Sequence, residues 1–165
     1  MVMLIVALGA NLPSRRFGNP ARTLGGVVDL LPGYSLTPRR RSHWYRSPPW
    51  PPSGQPWYVN GVLLCETLMA PDQVMHALHD LESDLGRRRQ HPNQARSLDL
   101  DLIDYGGMVS GGDSWPSLPH PRLESRAFVL RPLADVAPDW RNPRDGRKLG
   151  DLLAALDPQE VCLRI

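Results

Sequence analysis

Cysteine, phenylalanine and lysine are nearly missing from this chain, and no apolar run is long enough to cross a bilayer. The two cysteines, Cys65 and Cys162, are too few for a disulfide framework and sit in no CxxC or Cys/His spacing. Their apolar neighbours, VLLCET and EVCLRI, predict buried free thiols. The N-terminal MVMLIVALG has no basic segment ahead of it and is too short for a secretory apolar core followed by a cleavage site. A protein of a reducing compartment, cytoplasmic and off the membrane, is expected. A dominant charge is lacking too: 19 basic against 17 acidic side chains leave +2, which calls for neither a nucleic-acid nor a membrane partner. Among the basic residues only Lys148 is lysine, so the positive charge is guanidinium. The chain has no GxxxxGK[ST], no GxGxxG and no GxSxG. A P-loop, a dinucleotide fold and a nucleophile elbow are thereby set aside.

What is present suits one domain spanning residues 1–165, with 41% hydrophobic residues to bury. Met1 to Leu8 is a continuous apolar run ending at Gly9, the pattern of a strand covered on both faces. A helix is predicted from Asn19-Pro20, with Leu24, Val27, Val28 and Leu31 on one side and Pro32-Gly33 as its stop. Residues 35–45 read as a second strand. The proline-dense RSPPWPPSGQPW, residues 46–57, must then be an irregular loop. Val59 to Thr67 resumes as strand. Ala70-Pro71-Asp72 opens a helix whose Val74, Leu78, Leu81 and Leu85 form one stripe, ended by Gly86. A basic loop over 87–97 leads into LDLDLIDYG, a strictly alternating strand. A last helix is expected near Lys148–Leu156. The order β-α-β-β-α-β plus later elements predicts an α+β fold with a ferredoxin-like βαββαβ core, a mainly antiparallel sheet and additional C-terminal strands and helices.

Chemistry concentrates on that last alternating strand. A period of two sends Leu98, Leu100 and Leu102 to one face and sets Asp99 and Asp101 side by side on the other. Carboxylates about 7 Å apart along a strand repel unless a cation sits between them. Oxygen ligands alone suit Mg²⁺, which keeps waters and is shared with substrate phosphates. The plain alternative is a solvated strand face with two unrelated acids. Arginines stand on either side: Arg87, Arg88 and Arg89 after the helix, and Arg96 just before the acidic pair. Guanidinium groups grip phosphate oxygens in pairs of bonds, and such a kit serves phosphoryl transfer. For Arg88 a simple role at a helix C-terminus is preferred. His120, in Leu118-Pro119-His120-Pro121, is held by two prolines and followed by Arg126 and Phe128. His43, His76 and His91 receive no role.

Together these pieces resemble the 6-hydroxymethyl-7,8-dihydropterin pyrophosphokinases of folate biosynthesis. The resemblance runs through ALGANL (7–12), RSPPW (46–50), QPWYVNGV (55–62), LESDLGRRR (81–89), ARSLDLDLIDYG (95–106) and LPHPRLESRAFVLRPLADVAPD (118–139). It implies pyrophosphoryl transfer from ATP to the pterin hydroxymethyl group, with release of AMP. By the same resemblance Asp99 and Asp101 hold two Mg²⁺ ions that arrive with ATP. Arg87, Arg89 and Arg96 belong to a phosphate-closing loop, with Arg87 and Arg96 joining the aspartates as catalytic residues. Glu82, His120 and Arg126 complete the ATP contacts. Tyr58 and Phe128 stack the pterin, Asn60 bonds its edge, and Ser47 and Pro48 line the same edge. The substrates are small molecules, and a monomer is implied. The sequence departs from the family in three places. Between Arg89 and Arg96 it has no tryptophan, where some members carry an aromatic cover. His79 stands where a glutamine can contact adenine. SGGDSW, residues 110–115, interrupts the adenine-side hairpin.

Two other readings explain part of the pattern. A different Mg²⁺-dependent phosphoryl or nucleotidyl transferase would use the acidic pair and the arginines but leave the proline-aromatic loop without a purpose. An RNA-binding module on a ferredoxin-like sheet would use the arginines, but it would need aromatics where Asp99 and Asp101 stand.

Overall fold

The fold, obtained as a computed structural model, describes residues 1–86 and 97–165. Strand β1, Val2–Ala10, lies in the middle of the sheet, and helix α1 follows at Pro20–Leu30. Asn19 caps that helix by accepting from the Arg22 N–H at 3.0 Å, and Pro20 occupies a first-turn position where no donor is missed. A 3₁₀ turn, Leu31–Tyr34, takes up Pro32 and Gly33. The stretch read as one strand over 35–45 is two, β2 (Thr37–Arg41) and β3 (Tyr45–Ser47). Between them Ser42 folds its hydroxyl back onto the chain, accepting from Val62 N–H at 2.9 Å and donating to the His43 carbonyl at 2.7 Å. Trp44 lies over Gly61, where an added Cβ would fall 2.3 Å from the indole. A side chain at 61 would push that ring away.

Strand β4, Tyr58–Thr67, pairs with β1 over nine residues and also carries both β2 and β3 along its other edge. Helix α2, Pro71–Asp84, begins with Gln73 accepting from the Ala70 N–H at 2.9 Å and gives way to Gly86 at φ +89°. Strand β5, Asp99–Tyr105, pairs with the free side of β1. Helices α3 (Ala127–Val136) and α4 (Leu149–Ala154) and a short β6 (Leu163–Arg164) on β3 complete the described chain. Every pairing is antiparallel, in the order β5-β1-β4-β3-β6, with β2 beside β3 on β4. The expected βαββαβ core is therefore present, its second strand broken in two.

Helices cover both faces of this sheet. On one, Leu4, Val6 and Leu8 of β1 and Leu100 and Leu102 of β5 pack with Leu24 and Val27 of α1 and Leu78 and Leu81 of α2. On the other, Ile5, Ala7, Val62 and Ile103 pack with Val129, Leu130 and Leu133 of α3 and Leu152 of α4. Alternation along the central strands feeds both clusters at once, which is why β1 reads as an unbroken apolar run. Both cysteines are buried and free, as the flanking sequence predicts. Burial pushes the Cys65 thiol up to about 12 and Cys162 up to about 11, so neither supplies a thiolate at neutral pH. Among the described residues no helix is long and apolar enough to cross a membrane.

Candidate active site

The face packed by α3 and α4 changes character at one end. Register sets Gly9 of β1 opposite Asn60 on β4 and opposite Asp99 on β5, so all three occupy one row of the sheet. Asp101 lies two residues further along, opposite Ala7. Ile103 of the same strand and Val62 of β4 belong to the α3 cluster. Alternation therefore points Asp99, Asp101 and Asn60 to that same side. Both aspartates are half-buried, with fully covered Leu98 and Leu100 beside them. The predicted division of LDLDL into a leucine face and an acidic face holds.

Helix α3 approaches this row with its N-terminus. Arg126, immediately before the helix, puts Nη1 3.8 Å from Asp101 Oδ2 and its guanidinium 5.4 Å from the centre of the Phe128 ring. Phe128 is half-buried and packs against both the α3 cluster and the Tyr45–Ala127–Cys162 group. It is part core and part site wall. The Tyr45 hydroxyl donates to Asp135 at 2.9 Å, and burial followed by that bond pushes it up to about 12. At the β3 margin Asn60 Nδ2 donates to Ser47 Oγ at 2.7 Å, with both side chains buried. Gly9 makes room for this pair, since a Cβ there would come 3.1 Å from Asn60 Oδ1 and 3.8 Å from the Tyr58 ring. Tyr58, opposite Ser47, is half-buried.

His120 arrives from the other margin. Its N–H donates to the Ile103 carbonyl at 2.8 Å, which lays the 118–120 segment along the outer edge of β5. The Arg122 N–H donates to His120 Nδ1 at 3.1 Å, so a neutral ring carries its proton on Nε2. Burial, with the positive charges of Arg126 and Arg122, pulls this imidazole down to about 4, against a smaller upward pull from Asp99. At neutral pH it is an uncharged N–H donor close to the acidic pair.

Several sequence-derived candidates are placed differently from this cluster. Glu82 is buried on α2, and its Oε2 accepts the Leu100 N–H at 3.2 Å, holding the outer edge of β5 between the two aspartates. Pro48 is exposed at the start of the proline-rich loop, while Pro49 beside it is buried. Arg87, Arg89 and Arg96 lie outside the described residues. Residues missed in the sequence include Gly9, legible only as a strand end, and Asn11. Asn11 is buried, and its amide donates to Gln55 Oε1 and to the Pro56 carbonyl, each at 3.1 Å, tying the proline-rich loop to the end of β1. On that loop Trp50 is 81% exposed. Among the described residues no three His, Cys, Asp or Glu side chains gather as a metal cage. Two carboxylates offer oxygen donors alone, which suits a hard cation completed by phosphate oxygens and water.

An acidic pair facing a guanidinium and a neutral imidazole at one end of an antiparallel sheet places the molecule among the enzymes of phosphoryl transfer. The particular family follows from its relatives. The family model described as 7,8-dihydro-6-hydroxymethylpterin-pyrophosphokinase (HPPK) matches residues 5–138. The 2-amino-4-hydroxy-6-hydroxymethyldihydropteridine pyrophosphokinase of Pseudomonas aeruginosa is 40% identical over 156 residues, 91% of this chain and 89% of that protein. Its namesake from Methylorubrum extorquens is 34% identical over 165 residues, 98% of each. A crystal structure of Plasmodium falciparum HPPK-DHPS superposes with a TM-score of 0.73 at 10% identity, which is a likeness of fold. It covers 93% of this chain and 43% of that longer one. The chain belongs to the HPPK family.

Proposed function

We propose that this protein transfers pyrophosphate from ATP to the hydroxymethyl oxygen of 6-hydroxymethyl-7,8-dihydropterin, in folate biosynthesis. The pterin oxygen forms a bond to the β-phosphorus, and the bond from that phosphorus to the α,β-bridging oxygen breaks. AMP leaves with the bridging oxygen, and the hydroxyl proton passes to solvent. The observation that carries this reading is the row Asn60–Gly9–Asp99. It sets an amide suited to a heterocycle edge about 10 Å, two strand spacings, from a carboxylate suited to a cation.

Asp99 and Asp101 would hold Mg²⁺ together with the triphosphate, and the bound cation would spread the charge that builds on the phosphates and on departing AMP. Arg126 and the His120 Nε2–H would bond phosphate oxygens. Arg87, Arg89 and Arg96 join them on the strength of the motif match. Tyr58 and Phe128 would face the pterin ring, with Asn60 and the Ser47–Pro48 backbone along its edge. Glu82 would serve the nucleotide indirectly by fixing the β5 edge. The substrates are diffusible small molecules, consistent with action in the cytoplasm as a monomer. Helices α3 and α4 cover the sheet face that an RNA-binding module would use to stack bases, which argues against that alternative.

The direct test mixes protein, ATP, Mg²⁺ and the hydroxymethyl dihydropterin and follows nucleotide products. AMP should appear in equal amount with pterin pyrophosphate. Release of ADP, or no pterin-dependent AMP, would refute the reading.

A further inference from the structure

Helix α3 cannot cap its own start. Its first turn, Ala127-Phe128-Val129, holds no acid, and its N-cap is Arg126, whose side chain has no acceptor to offer a backbone N–H. The acceptor comes from 33 residues further along the chain, where Glu160 Oε1 takes the Ala127 N–H at 2.9 Å. A turn after α4 delivers it: the Glu160 N–H donates to the Asp157 carbonyl at 3.0 Å, and the Gln159 N–H to Asp157 Oδ1 at 2.9 Å. A carboxylate at this point also answers the positive end of the helix.

The segment that carries Glu160 is fastened on both sides. Before it, Leu156 packs against the α3 cluster. After it, Cys162 is buried with Tyr45 and Ala127, and Phe128 packs on that group. Strand β6 then pairs with β3 at Tyr45 and Arg46, and the Ile165 N–H donates to the Trp44 carbonyl at 2.9 Å. The segment lies beyond all the motifs on which the family resemblance rests.

The bond falls at a consequential peptide. The Ala127 N–H belongs to the rigid plane that joins Ala127 to Arg126, and Arg126 is extended, with φ −111° and ψ 98°. Holding that plane fixes ψ of Arg126, and with it the direction in which the guanidinium leaves the backbone toward Asp101 Oδ2, 3.8 Å away. Without an acceptor the N–H would turn to water, and the first turn of α3 would fray.

Resting on the proposed reaction, in which Arg126 bonds the triphosphate, we propose that Glu160 is a positioning residue for that contact. It touches neither substrate. By holding the Ala127 N–H it presents Arg126 to the phosphates already oriented.

Calorimetry with α,β-methylene-ATP and Mg²⁺ tests this without requiring turnover. Glu160→Ala should raise the Kd about tenfold, the scale of one lost hydrogen bond to a charged group, with the number of sites per chain unchanged. Glu160→Gln keeps an acceptor oxygen at the same reach and should restore most of the affinity. In an Arg126→Ala background Glu160→Ala should add almost nothing, because the contact it positions is already gone. An unchanged Kd in Glu160→Ala, with or without a lower site number, would show that Glu160 serves the fold alone and would overturn the proposal. Equal losses with and without Arg126 would do the same. Failure of the wild-type protein to release AMP would instead count against the reaction.

Discussion

The two faces of the sheet are built from the same strands and end up with different occupations. Toward α1 and α2, the inward positions of β1 and β5 are apolar from end to end. Toward α3 and α4, they are apolar only around Ile5, Val62 and Ile103, then turn to Gly9, Asn60, Asp99 and Asp101. One face is sealed because nothing but burial is asked of it. The other is sealed over part of its length, and its uncovered end holds polar groups that the core could not accept without partners. Rigidity for the second comes from the first, since Leu98 and Leu100 hold the backbone that presents the acids.

Substitutions should separate these roles. The largest effect is expected at the open end. Asp101→Ala should lower pterin-dependent AMP release by at least about 10²–10³-fold, the scale of losing one preorganised electrostatic group, with a normal denaturation midpoint. A variant that stays active would break the assignment of the acids. On the sealed face the pattern should invert. Leu78→Ala, on the buried side of α2, should cost about 2–5 kcal/mol in urea unfolding while kcat in the folded fraction is retained. Asn60→Ala should come next, raising the KM for pterin about tenfold, in line with roughly 1–3 kcal/mol for a lost buried partner. A larger change in the KM for ATP would move Asn60 to the other substrate.

The smallest effect is a pH dependence at the margin between the faces. His120 is held near 4 in the folded protein against an ordinary value of 6.5. Above 6.5 folded and unfolded chains both carry it neutral. Below 6.5 the unfolded chain takes up a proton that the folded chain resists, so stability drains away as pH falls toward 4. In Mg²⁺-free buffer the melting temperature of the wild type should fall more between pH 6.5 and 5 than that of His120→Asn. Parallel curves would show that the ring is not protected from protonation.

The acidic pair was legible because period-two alternation is local: LDLDL states which side chains share a face before any partner strand is known. The α1 and α2 boundaries were legible for a similar reason, through Asn19-Pro20, Pro71 and Gly86. The break at Ser42–Trp44 was not, because it depends on an indole crossing the bare backbone of Gly61 on another strand. Helix α3 was missed as a helix. Pro132 inside it cannot donate to the Phe128 carbonyl and reads as a breaker, yet Val129, Leu130 and Leu133 are buried against the sheet and outweigh it. The bond from the Leu100 N–H to Glu82 was not legible either, because it is visible only with β5 beside α2.

Read without a structure, the chain already determined its alternating strands, the ends of α1 and α2, its inert thiols and an acidic pair matched to phosphate chemistry, since each depends on neighbours in sequence. Only the tertiary structure decided that Gly9 joins Asn60 to Asp99, that Arg126 reaches Asp101, and that Trp115 settles beside two histidines of α2. Those are contacts between segments distant in the chain, and their geometry follows from strand register and helix packing, which no short stretch of residues encodes alone.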